Sequence, residues 1–383
     1  MFLAAFLIVF VRYNKNTNSK KERTMAANGH HTAQDSIKNK KPIFFKRKAF
    51  LWTVSSIVGV ILLILLAFRV SPWPGALVIR KVFSDDSAKL KQVMDRYAPG
   101  GVTKLADQQY DPKDSSLKLD VYYPDRQAFA PEHLPTVIWT HGGAWISGDK
   151  SNDEPYFKLL ASKGFTVIGV DYTLAPARSY PTQIFQLNQA HKYIVANATK
   201  FHVDANNLFL AGDSAGSQLS AQMAALITNP GYASDVNIMP SLKSSQLKGV
   251  ILNCGIYKME GLTQPDSTLP KIVGWGNDVA VWSYAGTRDF SKPVIKQMSP
   301  YYHVTKDFPP TFITGGNGDP LTDAQSKPFA DELTRLGVPV SRLFYAKDHA
   351  PSLPHEYQFH LDLSDGQNAL NTIISFINMR TNK

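Results

Sequence analysis

One cysteine in 383 residues, Cys254, excludes an intramolecular disulfide, so the fold has to rest on its apolar core. Unbalanced charge is also nearly missing from most of the chain. The formal +10 is carried by the first 48 residues, which hold eleven of the 41 Lys/Arg and two of the 31 Asp/Glu, leaving about +1 on the other 335. A nucleic-acid groove needs Lys and Arg spread over a folded face, so an excess confined to one tail sets that class of partner aside. No internal repeat or low-complexity tract interrupts the sequence. One large domain with an N-terminal appendage is the organisation this implies.

Charge is missing altogether from Ala49 to Phe68, within AFLWTVSSIVGVILLILLAFRV. At ~1.5 Å per residue, residues 49–70 make a helix of roughly 30 Å, the thickness of a bilayer core, and a buried core helix of that length would show a polar face. Lys38, Lys40, Lys41, Lys46, Arg47 and Lys48 precede the run, while only Arg69, Arg80 and Lys81 follow closely. The positive-inside rule therefore predicts a cytoplasmic tail (1–48), a single anchor in the cell membrane (49–70) and an extracellular remainder. A cleaved signal peptide competes, but the run exceeds the usual 7–15 apolar residues and no small-x-small site follows it. The opening MFLAAFLIVFV is too short to span unaided, and translation from Met25 in place of Met1 is a further hypothesis.

Beyond the anchor, residues 71–110 read as linker and lead-in, with SPWPG breaking the membrane helix and helical spacing over Asp85 to Tyr97. Residues 111–383 read as the catalytic domain. LKLDVYYP alternates like a strand, and short apolar runs then alternate with helical patterns: TVIWT, FTVIGVDY, NLFLAG, KGVILNCG, TFITGG and SRLFYA. Runs apolar throughout, such as TVIWT, suit strands buried on both faces. The pattern predicts an α/β fold with a mostly parallel central sheet and helices on both faces. Residues 256–300, rich in Gly and Pro with Trp275 and Trp282, read as a small helical lid, the alternative being a long surface loop.

Gly212-Asp213-Ser214-Ala215-Gly216 has the form G-x-S-x-G, which composition alone yields with a chance of roughly 0.1 in such a chain. Its setting strengthens it: an apolar strand runs in and the helix SQLSAQMAALIT runs out, the context of a nucleophile held on a sharp turn. After TVIWT stands His141-Gly142-Gly143-Ala144-Trp145. Acyl transfer needs N–H donors at the oxygen that becomes negative, and glycines let backbone approach it. Gly142, Gly143 and Ala215 are the candidate donors of such an oxyanion hole. A serine nucleophile also needs a histidine base and an orienting carboxylate. Asp319 in Gly318-Asp319-Pro320, at the end of TFITGG, is preferred over Asp323, which suits a helix cap. His349, His355 and His360 all follow the strand SRLFYA; His355 in LPHEYQF is preferred as the base, with His349 as the alternative.

Taken together, HGGAW, DYTLAPARSYP and GDSAG resemble the hormone-sensitive-lipase-like esterase branch of the α/β-hydrolase family, from about Leu117 to the C-terminus. DYTLAPARSYP departs from the family's D-Y-R-L-A-P-E-x-x-Y-P at Thr173 and Ala177. The resemblance implies the α/β-hydrolase fold, Ser214 as nucleophile, and Gly142 and Gly143 in the oxyanion hole. DPLTD is similar to the family's D-x-L-x-D, which favours Asp319 as the acid. HEY at 355–357 lies nearer to the family's H-G-F than HAP at 349–351, which favours His355 over His349. Members hydrolyse short acyl esters with no metal and no organic cofactor, and the same is expected here.

The expectation is thus a membrane-anchored serine carboxylesterase or deacetylase acting on small-molecule or carbohydrate acyl esters, with no nucleic-acid partner. An amidase or peptidase on the same scaffold, or a binding protein with a hydrolase-like pocket and no turnover, are the alternatives.

Overall fold

In a computed structural model of the protein, residues 43–125, 133–264 and 270–381 are described. The basic tail up to residue 42, the apolar opening run and Met25 lie outside them. The chain divides into two units, Met1–Leu62 and Leu63–Lys383. In the first, the described residues belong to helix α1, which runs Ile43–Val70 and so extends into the second.

In the larger unit, eight strands form one sheet: β1 (Val102–Gln109), β2 (Lys118–Pro124), β3 (Leu134–Thr140), β4 (Thr166–Val170), β5 (Val203–Asp213), β6 (Leu247–Asn253), β7 (Thr311–Gly315) and β8 (Val340–Phe344). Their order is β1-β2-β4-β3-β5-β6-β7-β8. β1 pairs antiparallel with β2 and β2 with β4, and every later pairing is parallel. As the all-apolar runs predict, β3, β4 and β7 are buried at every position.

The two-residue period of the strands sorts side chains to the two faces. Val137, Trp139, Phe209, Ile251 and Phe312 point to one face, with α3 (Glu154–Ala161) and the last helix, α8 (Ser364–Thr381). Ile138, Leu210, Val250, Leu252 and Ile313 point to the other, covered by α4 (Thr182–Ala196), α5 (Ser214–Thr228) and α7 (Lys327–Arg335). The segment read as a lid contains α6 (Lys271–Ala285) flanked by short helices at Glu260–Thr263 and Pro293–Gln297. Trp145 stacks on Tyr284 of α6 with ring centroids 4.9 Å apart, tying the lid to the loop after β3.

The stretch 71–110, read from sequence as linker and lead-in, contains a 23-residue helix, α2 (Trp73–Asp95), and strand β1. The prolines of SPWPG look like breakers, yet Pro74 sits in the first turn of α2, where its missing N–H costs nothing. The buried stripe of α2 is small, Gly75, Ala76 and Ile79, so its amphipathic signal is weak. β1 is an edge strand without an apolar alternation.

Phe376 of α8 is fully buried against Phe209 and Phe312, with ring centroids 6.2 and 6.0 Å away. Phe376→Ala is expected to cost about 3–5 kcal/mol in urea unfolding. A loss below about 1 kcal/mol would show that this face of the sheet is not packed as described.

Candidate active site

Where β5 meets α5 the chain turns sharply, and Ser214 takes φ +49°, a left-handed conformation that a non-glycine residue adopts only under local constraint. Gly216, one turn into α5, makes the turn possible: a Cβ there would strike the carbonyls of Thr140 and His141 at the end of β3. Ser217 fixes the turn from below, its Oγ donating to the carbonyls of Gly212 (2.6 Å) and Asn253 (2.8 Å). Ser214 is thus held at the C-terminal edge of the sheet, facing a cavity.

Asp319 stands just after β7, buried, and its Oδ1 accepts from the amide of Leu321 at 2.9 Å. His355 lies in the loop after β8, with 36 % of its side chain accessible. The two loops are stitched together: Gly318 N–H donates to the Leu353 carbonyl (2.9 Å), and Leu353 N–H donates to the Asn317 side chain (2.9 Å). The result is a chain of two hydrogen bonds. His355 Nδ1 donates to Asp319 Oδ2 at 2.8 Å, which leaves Nε2 to accept from Ser214 Oγ at 3.0 Å. The other two candidate histidines are engaged elsewhere: His349 Nε2 lies 3.2 Å from Asp365 Oδ2, and His360 Nδ1 lies 3.8 Å from Asp362.

Burial opposes a charge on His355, but Asp319, hydrogen-bonded to its Nδ1, favours one, and the balance lies above the usual histidine value. Burial also pushes the Cys254 thiol up and keeps it neutral. Among the described residues, Cys254, Asp319 and His355 form the one cluster with metal-ligand chemistry, their ligating atoms lying within 4.8 Å of one another. Imidazole and carboxylate already bind each other there and the thiol is protonated, so the set reads as hydrogen-bonded groups rather than a ligand cage.

Opposite His355, the loop after β3 runs through three successive positive φ values, Gly143 (98°), Ala144 (52°) and Trp145 (61°). Gly142 and Gly143 line the cavity with Ser214, and Ala215 begins α5 next to it. The amide of Gly142 is hydrogen-bonded to the side chain of Asp213, so in this state Gly143 and Ala215 are the predicted donors whose amides are not directed there. Any Cβ on Gly142 would collide with that same carboxylate.

Several contributors are invisible to motif reading. Trp139 Nε1 donates to Asp213 Oδ1 at 2.8 Å, fixing the residue that precedes the serine. Burial first, and then the charge of Glu356, raise Asp213 well above the usual carboxylate range, and burial and Asp213 do the same to Asp153. Asp213 has two N–H donors and is the better placed of the pair to stay ionised. Arg80 of α2 donates to the carbonyls of Ile146 (2.7 Å) and Ala175 (3.3 Å), bracing the glycine loop from the segment read as linker. Buried His141, lowered to about 4 by burial, stays neutral and stacks on Tyr172 at 4.3 Å. A long-range hydrogen bond leaves no spacing in the sequence, and the continuous apolar run of β3 marks Trp139 only as buried.

The cavity in front of Ser214 and His355 measures about 1230 Å³. Its walls come from the glycine loop, the second half of α2, the loop of Asp319 and the start of α6.

Comparison with known proteins places this architecture. The BD-FAE family profile matches residues 119–333, and the chain belongs to that family. It is 28 % identical over 255 residues to Esterase LipC of Mycobacterium tuberculosis, covering 66 % of this chain and 59 % of that protein. It is 26 % identical over 220 residues to the putative alpha/beta hydrolase R526 of Acanthamoeba polyphaga mimivirus, covering 55 % of this chain and 58 % of the other. The chain therefore spans somewhat under three fifths of the length of these curated relatives. Among solved structures, a tributyrin phosphonate-inhibited Esterase B from Lactobacillus rhamnosis superposes with a TM-score of 0.69 at 19 % identity, over 82 % of this chain and 97 % of that one. The fold is that of the α/β-hydrolases, in agreement with the resemblance read from the motifs.

The charge on Asp319 makes a titration test possible. The His355 imidazole should titrate by NMR with a midpoint above 6.5, and Asp319→Asn should bring that midpoint down, because the neutral amide no longer favours the imidazolium. An unchanged midpoint would remove Asp319 as the cause.

Proposed function

We propose that the protein is a membrane-anchored serine carboxylesterase with Ser214, His355 and Asp319 as its catalytic triad. One observation carries the reading: His355 is hydrogen-bonded at one nitrogen to Ser214 Oγ (3.0 Å) and at the other to Asp319 (2.8 Å). Ser214 Oγ attacks the ester carbonyl carbon while its proton passes to His355 Nε2. Asp319 steadies the imidazolium that forms, and the backbone amides of Gly143 and Ala215, with Gly142 beside them, face the oxyanion. Collapse releases the alcohol, which takes the proton from Nε2 and leaves an acyl-Ser214. Water, deprotonated by the same nitrogen, repeats the attack and frees the acid.

The relatives support the chemistry. Esterase LipC carries esterase activity in its name, and Esterase B is inhibited by a tributyrin phosphonate. A cavity of about 1230 Å³ leaves room for a small acyl ester and for a carbohydrate acyl group.

For the anchor, Phe50–Val70 gives 21 residues of mean hydropathy 2.6, of which none is buried. A core helix would be covered. Within the larger unit, Phe68 meets the Trp275 ring at 6.4 Å and Arg288 donates to the Arg69 carbonyl at 3.0 Å. Packing of this kind supports a retained helix over a discarded signal peptide. The basic flank before the apolar run supports an orientation with the larger unit on the extracellular side of the cell membrane.

Ser214→Ala and His355→Ala are each expected to lower kcat for p-nitrophenyl acetate by at least about 10³-fold, with His349→Ala staying within roughly threefold of wild type. Loss in His349→Ala with retention in His355→Ala would reverse the assignment of the base. Equal rates in wild type and Ser214→Ala would reject the chemistry.

A further inference from the structure

Exposed large apolar side chains are not spread evenly over the larger unit. They concentrate where α1 ends and α2 begins, at Leu63–Leu66, Val70, Trp73, Leu77, Val78, Val82 and Phe83, and at Ile272 and Val273 of the lid helix. Among the other described residues of this unit they are scattered singly along the chain, as Tyr97, Phe185, Met239, Tyr302 and Met379. Charge enters this stretch of α2 at Lys81, paired with Asp85, and beyond Phe83 the surface is charged, with ion pairs Lys89–Asp86 and Lys91–Asp95. Soluble surfaces rarely expose so many neighbouring apolar groups, and a helix that does so beside an apolar span lies in a membrane interface.

The active-site cavity adjoins this apolar collar. Phe83 and Val273 belong to both: each is more than a third exposed, and each lines the cavity that holds Ser214 and His355. Trp275 links them further, lining the cavity while its ring faces Phe68 in the last turn of α1. Deeper, the wall is continued by apolar Leu90, Val93, Met94, Ile256 and Leu262. A volume of about 1230 Å³ also exceeds the roughly 300–1,000 Å³ of an ordinary small-molecule pocket. A water-soluble acetate or butyrate ester uses little of that space and none of the collar.

We propose that the substrate class is a long-chain acyl ester dissolved in the bilayer, which reaches Ser214 between α2 and α6 without crossing bulk water. The inference rests on the esterase reading above and extends it from short acyl groups to lipid esters. The collar is continuous with the exposed apolar turns Leu63–Val70, so the surface that covers it is the bilayer that receives those turns. Chemically nothing changes. Ser214 takes the acyl chain, the alcohol leaves with the proton from His355, and water releases a fatty acid into the same membrane.

The full chain, reconstituted in phosphatidylcholine vesicles, is offered p-nitrophenyl palmitate dissolved in the bilayer and p-nitrophenyl acetate in the water. Wild type should turn over both. In a triple variant, Leu77→Glu, Val78→Glu and Ile272→Glu, none of which lines the cavity, palmitate turnover should fall by at least about tenfold and acetate turnover stay within about twofold. Unchanged palmitate turnover in the variant overturns the proposal, as does acetate turnover without palmitate turnover in wild type. A second measurement needs no variant: at fixed bulk concentration, the palmitate rate should fall as added phospholipid dilutes the ester in the membrane plane. A rate that follows bulk concentration alone overturns the proposal. Failure of wild type on acetate itself would strike the esterase reading first.

Discussion

The contact on which the site depends is between two strand ends. At the tips of β3 and β5 the backbone of Gly216 presses on the carbonyls of Thr140 and His141 with no room for a side chain. That approach sets the distance between the turn carrying Ser214 and the loop carrying Gly142 and Gly143. Parallel neighbours paired in register, Trp139 with Ala211 and Thr140 with Gly212, bring the two tips to the same height. The strained φ of Ser214 is sustained because hydrogen bonds on both sides over-determine it. Ser214 and the candidate amides are therefore placed by the sheet, before any substrate arrives.

Asp319 and His355, the proposed acid and base, come from less rigid ground, the loops after β7 and β8, and a different device holds them. Backbone and side-chain hydrogen bonds between Asn317, Gly318 and Leu353 make the two loops one structure, so that Asp319 and His355 move together. Burial sets the electrostatics: it raises Asp153, Asp213 and Cys254 and lowers His141, leaving few groups around Ser214 able to hold a charge. His355 is the exception, because a carboxylate faces one nitrogen and the cavity the other.

Much of this was legible in the residues. Strands apolar at every position announced a sheet covered on both faces, and the resemblance carried by HGGAW, DYTLAPARSYP and GDSAG implied the α/β-hydrolase architecture. Local motifs marked where Ser214, Gly142 and Gly143 stand, because a sharp strand-to-helix turn and a close backbone approach each require glycine at fixed spacing. Which histidine meets the serine was less legible, since His349, His355 and His360 share one loop and only the tertiary path separates them. The segment 71–110 was the least legible. Its prolines fall at the N-cap and in the first turn of α2, its buried residues, Gly75, Ala76, Ile79 and Met94, are few for 23 positions, and Arg80 reaches backbone carbonyls. Such contacts carry no periodicity. The same segment lines the cavity and borders the apolar collar, so the part that looked like a tether is a wall of the site.

The central claim is that Ser214 is the nucleophile, activated by His355. Reaction of the intact protein with a fluorophosphonate, followed by peptide mapping in a mass spectrometer, tests it directly. The account predicts a single phosphonyl adduct, on the peptide containing Ser214, that does not form in His355→Ala. An adduct on another residue, or one formed equally well without His355, would contradict it.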